Sequence, residues 1–107
     1  MDKVGLPIII YAGTEYVLSH WCGTNGRRLL KRMWLSTTHS FAAATIIKRK
    51  RGYGYIVMSP DGQLMDVGVC LLRRDAKLII QKILDDFVGQ CSIPHDEMSN
   101  EFRQWFY

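Results

Sequence analysis

Two strand-like runs, Tyr53 to Met58 and Gln63 to Leu72, flank the tetrapeptide Ser59-Pro60-Asp61-Gly62, and no other stretch constrains the fold as strongly. Proline presets one turn angle and glycine supplies the positive one, so the two runs are expected to fold back on each other as an antiparallel hairpin, with Asp61 and Gly62 exposed at its tip. A second strong signal follows. After Asp75, the apolar residues Leu78, Ile79, Ile83, Phe87 and Val88 recur at steps of three and four, which predicts an amphipathic helix of about four turns with Gly89 placed to end it.

The remaining elements follow from shorter signals. Leu6 to Tyr11 is short and rich in isoleucine, and Gly13-Thr14 closes it as a turn does, so it reads as a buried strand. Tyr16, Val17 and Trp21 are spaced for one face of a short helix, although residues 15 to 22 fit more than one state. Met33 to Thr37 is a further strand candidate. Ser40 is placed to cap a helix through Phe41, Ala44, Ile46 and Ile47, with the cations Lys48 to Arg51 at its C-terminal end. A last helix is expected from Ser92, with Pro94 in its first turn and Met98, Phe102, Trp105 and Phe106 as its apolar stripe. Together these signals predict an α+β fold: one small domain over residues 1–107, an antiparallel sheet with a hairpin at about 53–72, and two to four helices, the C-terminal ones packed on the sheet.

Composition supports a packed domain, since 48% of the 107 residues are hydrophobic and 22% charged. No apolar run approaches the roughly 20 residues that a membrane span needs. No leader pattern is visible, so the expectation is a cytoplasmic protein. Three widely spaced cysteines, Cys22, Cys70 and Cys91, fit reduced thiols in such a compartment. Pairing them with His20 and His95 gives no familiar zinc spacing, and no metal is expected.

Charge is distributed unevenly. Residues 1–54 carry nine cations against two acids, and residues 55–107 five against eight, giving +7 and −3 within the overall +4. The cations cluster as Arg27, Arg28, Lys31 and Arg32 and as Lys48, Arg49, Lys50 and Arg51, with Trp21, Trp34, Tyr53 and Tyr55 close in sequence. Cations interleaved with aromatics suit phosphate neutralisation and base stacking, and Arg and aromatic side chains also anchor protein interfaces. These twelve residues are the candidate protein- or phosphate-binding site.

Three motifs give the chain a resemblance to a known family. Tyr11-Ala12-Gly13-Thr14, then Ser36-Thr37-Thr38 ahead of Phe41-Ala42-Ala43-Ala44, then Pro60-Asp61-Gly62 resemble the opening half of an ADP-ribosyltransferase fold, and Ile93-Pro94-His95-Asp96-Glu97-Met98 is similar to a segment near the end of many members. The resemblance implies an NAD site with Tyr11, Ser36, Thr37 and Asp86 near the nicotinamide ribose. The family's first motif holds the dinucleotide through histidine or arginine, whereas this chain has Ala12, which offers neither a hydrogen bond nor a charge. Where the family's catalytic glutamate would fall stands Asp86, a shorter acid.

No dinucleotide fingerprint follows from Gly52-Tyr53-Gly54, and Ser36, His39 and Asp61 read as a strand end, a helix cap and a turn in place of a hydrolytic triad. No catalytic residue and no cofactor are therefore expected. The sequence points first to a protein-binding protein of the kind that phages and mobile elements use to inhibit a host enzyme or a defence nucleoprotein complex. Its alternatives are a nucleic-acid-binding module using the basic N-terminal half and an ADP-ribosyltransferase using NAD. Oligomeric state does not follow from the sequence.

Overall fold

The computed structural model describes residues 6–24, 26 and 28–91. Seven strands, β1 (Ile8–Tyr11), β2 (Thr14–Leu18), β3 (Cys22–Thr24), β4 (Leu29–Leu35), β5 (Ser40–Arg49), β6 (Gly52–Met58) and β7 (Leu64–Cys70), precede one helix, α1 (Arg73–Cys91). Every pairing is antiparallel. The sheet order is β1-β2-β4-β5-β6-β7, with β3 beside β2 along the same side of β4.

The break between β2 and β3 is held by Ser19. Its amide donates to the Met33 carbonyl at 2.9 Å, its Oγ accepts the Met33 amide at 2.9 Å, and its carbonyl accepts Arg32 Nε at 2.8 Å. Opposite this point the register of β4 on β5 shifts between Arg32 and Met33. A bulge bends a strand and increases local twist, and the sheet is curled accordingly.

The helix lies in the curl and packs against β1, β5, β6 and β7, so both sheet edges reach it. Ala76, Ile80 and Leu84, at successive steps of four, are its fully buried stripe, and they share a core with Ile9, Leu18, Leu30, Trp34, Ala43, Ala44, Ile46 and Val57. Removing an isoleucine or leucine side chain from water contributes about 1.5–3 kcal/mol, so Ile80 and Leu84 are main anchors of the helix. Phe87 extends the contact, with its ring centroid 5.7 Å from both Trp34 and Tyr11.

The expected hairpin is present. β6 and β7 pair from Tyr53 with Cys70 to Met58 with Leu64, Asp61 and Gly62 are exposed at the tip, and Gly62 has φ +85°. The amphipathic helix is present too, but it runs through Gly89 to Cys91.

Other expectations are corrected. Residues 40–49 form the ten-residue strand β5, not a helix. Pairing with β4 on one side and β6 on the other satisfies its backbone, and Thr45, Ile46 and Ile47 are β-branched, which outweighs the weak helical preference of Ala42 to Ala44. Tyr16 and Val17 lie on β2, where Tyr16, Val17 and Leu18 are consecutively buried, which no exposed helix face allows. The strand expected at Met33 starts earlier, at Leu29. The helix expected from Ser92 lies outside the described residues. Among the described residues there is one helix, packed on an antiparallel sheet that holds the hairpin, and these residues are mostly β, with fewer helices than the two to four expected.

Candidate anion-binding site

Antiparallel connectivity sorts the loops into two ends. At one lie the β3–β4 turn, the β5–β6 turn and the start of α1, and at the other lie the β1–β2, β4–β5 and β6–β7 turns. The first end collects Arg28, Lys48, Arg49, Lys50, Arg51, Arg73, Arg74 and Lys77. The Lys48 amide donates to the Arg28 carbonyl at 2.8 Å, which ties the β3–β4 turn to the end of β5.

Two clefts open at this end. One, of about 490 Å³, is lined by Tyr53, Leu72, Arg73, Arg74 and Lys77. The other, of about 250 Å³, is lined by Trp21, Gly23, Leu30, Arg73 and Lys77. Arg73 and Lys77, one helical turn apart, line both. Lys48 Nζ stands 4.8 Å from the centroid of the Tyr53 ring and Lys77 Nζ 5.6 Å from that of Trp21. Each is a cation–π contact that leaves the ammonium's other directions open to an anion.

The helix is charged against its own dipole. Arg73 and Arg74 occupy its first turn beside Asp75, and its last turn has no basic residue. A cation at the positive end of a helix is unfavourable by about 0.3–1 kcal/mol in an exposed setting. A bound anion would relieve this repulsion and meet the free amides of the first turn as well.

The twelve residues nominated from sequence separate into groups. Trp21, Arg28, Lys48, Arg49, Lys50, Arg51 and Tyr53 gather at the basic end. Arg27 lies outside the described residues. Lys31 is exposed on β4 opposite Cys22 and Thr45, away from the two clefts. Arg32 is a structural residue, because its guanidinium is half-buried against the Ser19 carbonyl. Burial lowers its pKa from the usual arginine value, and Asp85 opposes that shift.

Trp34 and Tyr55 are not surface anchors either. Trp34 is fully buried and donates its indole N–H to the Met58 carbonyl at 2.9 Å. Tyr55 packs against the core, and its hydroxyl donates to Asp66 Oδ2 at 2.9 Å. The sequence reasoning missed Arg73, Arg74 and Lys77 because it assigned them to the acidic half.

The residues of the ADP-ribosyltransferase resemblance lie elsewhere. Ala12 and Gly13 form the β1–β2 turn with φ +50° and +81°, and the Tyr11 hydroxyl donates to Asp61 Oδ2 at 3.1 Å. Ser36 Oγ accepts the amides of Thr38 and His39 at 3.3 and 2.9 Å in the β4–β5 turn beside Thr37. Asp86 is exposed on α1. Among the described residues no three His, Cys, Asp or Glu side chains are grouped to hold a metal ion, and no described helix is long and apolar enough to cross a membrane. Comparison with family models, curated proteins and solved structures gives no match for this chain.

Proposed function

We propose that this chain is a binding protein without catalytic machinery, whose basic end engages the phosphates of a nucleic acid, either free or held in a nucleoprotein complex. The observation that carries this reading is the convergence of Arg73 and Lys77 on Trp21, Tyr53 and Lys48 in adjoining clefts. Guanidinium and ammonium groups neutralise phosphate, and the Trp21 and Tyr53 rings, packed on the core, hold two of the ammonium groups at the clefts where a phosphate backbone would run.

The folded arrangement also removes an objection to this reading. The C-terminal half is acidic in sequence, yet the part of it nearest the basic turns is Arg73, Arg74 and Lys77. A strand of nucleic acid therefore meets cations from both halves. An inhibitor of a host or defence nucleoprotein complex would use this end to occupy a groove that otherwise holds nucleic acid.

The test is fluorescence anisotropy with a labelled single-stranded oligonucleotide at physiological salt, comparing the native chain with Arg73→Glu and Lys77→Glu. Binding that falls by about tenfold or more in each variant supports the proposal. If both variants bind like the native chain, or if the native chain ignores nucleic acid and captures an acidic protein, the basic end has a protein partner instead.

A further inference from the structure

Among the described residues, β7 is one edge of the sheet, paired with β6 alone. Natural edge strands are guarded by shortness, proline, lysine or a bulge that turns them away. The opposite edge fits that rule, because β1 has four residues and follows Pro7. β7 does not. It spans Leu64–Cys70 without proline or a basic residue, and its one irregularity, at Met65 near its start, leaves the register on β6 regular from Asp66 to Cys70. Its one charged side chain, Asp66, is engaged by the Tyr55 hydroxyl.

The outer face of this edge is apolar and open. Val67 is 59% exposed, Val69 67% and Leu71 80%. Val67 and Val69 line a cleft of about 520 Å³ whose floor is Gly54, over which the Arg49 side chain lies, with Ile47 and Ile56 beside it.

We propose that β7 pairs antiparallel with the β7 of a second copy of this chain, about a two-fold axis through Val67, so that two sheets become one. In that register Val67 faces its own copy, Val69 faces Met65, Cys70 faces Leu64 and Asp66 faces Gly68. Val67 meets Val67 on the outer face, each Val69 lies opposite Met65, which packs towards the core, and each carboxylate meets a glycine. A two-fold at Asp66 would instead set two carboxylates against each other, which is destabilising.

Charge selects the second copy as the occupant. Reversal of direction brings the Cys70 end of one chain, flanked by Arg51, Arg73 and Arg74, towards the β6–β7 turn of the other, where Asp61 is exposed. The basic ends are thereby kept apart in a chain of net charge +4. This pairing is isologous and closed, so it ends at a dimer.

Sedimentation equilibrium from low micromolar to several hundred micromolar tests it on the native chain, Val67→Lys and Ile10→Lys. A reversible dimer is expected. Val67→Lys, which sets two ammonium groups against each other at the axis, weakens it by about tenfold or more, while Ile10→Lys on the β1 edge leaves it unchanged. Because Val67 is exposed, circular dichroism should show Val67→Lys folded. A monomer at every concentration overturns the proposal, as does a dimer that survives Val67→Lys. A monomer whose β7 amides resist hydrogen exchange also overturns it, since the edge would then be covered by another segment of its own chain.

Discussion

Gly52 and the Cys70 carbonyl lie so close that a Cβ on Gly52 would fall 2.5 Å from the oxygen. Gly52 also has φ +120°, which side-chain-bearing residues rarely adopt. This contact seats the basic β5–β6 turn against the strand end from which α1 departs, so the glycine holds two groups of cations at one place. Gly52→Ala is expected to cost about 2 kcal/mol or more through backbone clash and strain together. Gly62, with φ +85° and nothing within 4 Å of a Cβ, should cost about 1 kcal/mol as alanine. Urea unfolding of the two variants checks the order. Equal losses would mean that the Cys70 contact is unimportant.

Arg32 and Arg73 should respond oppositely. Arg32→Ala removes a charged donor from the half-buried Ser19 carbonyl at the β2–β3 break and should lower stability by about 1–3 kcal/mol with little effect on nucleic-acid affinity. Arg73→Ala should weaken binding and leave stability within about 0.5 kcal/mol, or raise it slightly by easing the helix dipole. Thermal denaturation and anisotropy on the same samples separate the two roles.

The hairpin at 53–72 and the helix after it were legible because their signals are local: a proline-glycine turn in one case and apolar residues at steps of three and four in the other. The place of Arg73 was implicit in them. A hairpin that pairs Tyr53 with Cys70 must leave the next residues beside the β5–β6 turn. Counting charge by halves of the chain hid that consequence.

β5 was misread because Ser40 and three alanines suit a helix locally, while the strand state depends on β4 and β6, which are tertiary partners. Trp34 and Tyr55 were nominated for proximity to cations in sequence. Strand alternation turned both towards the helix side, and no short-range pattern marked which of the aromatic residues would be buried.

Trp21 should report binding. Its ring lies beside Lys77 at the basic end, whereas Trp34 is sealed in the core. In a Trp105→Phe background, oligonucleotide is expected to quench tryptophan emission, and Trp21→Phe should abolish most of the change while Trp34 remains as an unaffected, blue-shifted component. Quenching that persists in Trp21→Phe would place the ligand elsewhere.

Acid should loosen the end opposite the cations. The Ser59 hydroxyl, and after it the Gln63 amide and the Tyr11 hydroxyl, hold the Asp61 carboxyl below its usual pKa against an opposing effect of burial. A carboxyl whose pKa is depressed in the folded state adds stability above its unfolded pKa, and that stability disappears as pH falls through the lower, folded value. Tyr11 is shifted upwards, by burial first and then by its hydrogen bond to Asp61, so its contribution is present below its unfolded pKa and is lost as pH rises through the folded one. Asp61→Asn should flatten the acid side of the stability profile, measured as urea midpoint against pH. An unchanged acid limb would remove Asp61 from the account.

The salt dependence of single-strand binding tests the central claim most directly. With three to five phosphates neutralised at the basic end, the logarithm of the association constant should fall against the logarithm of salt concentration with a slope of about 2 to 3.5, at about 0.7 per contact. Arg73→Glu combined with Lys77→Glu should reduce both affinity and slope, because two of those contacts are lost. A slope near zero, or one that the double variant leaves unchanged, would contradict a phosphate-binding role for this end of the molecule.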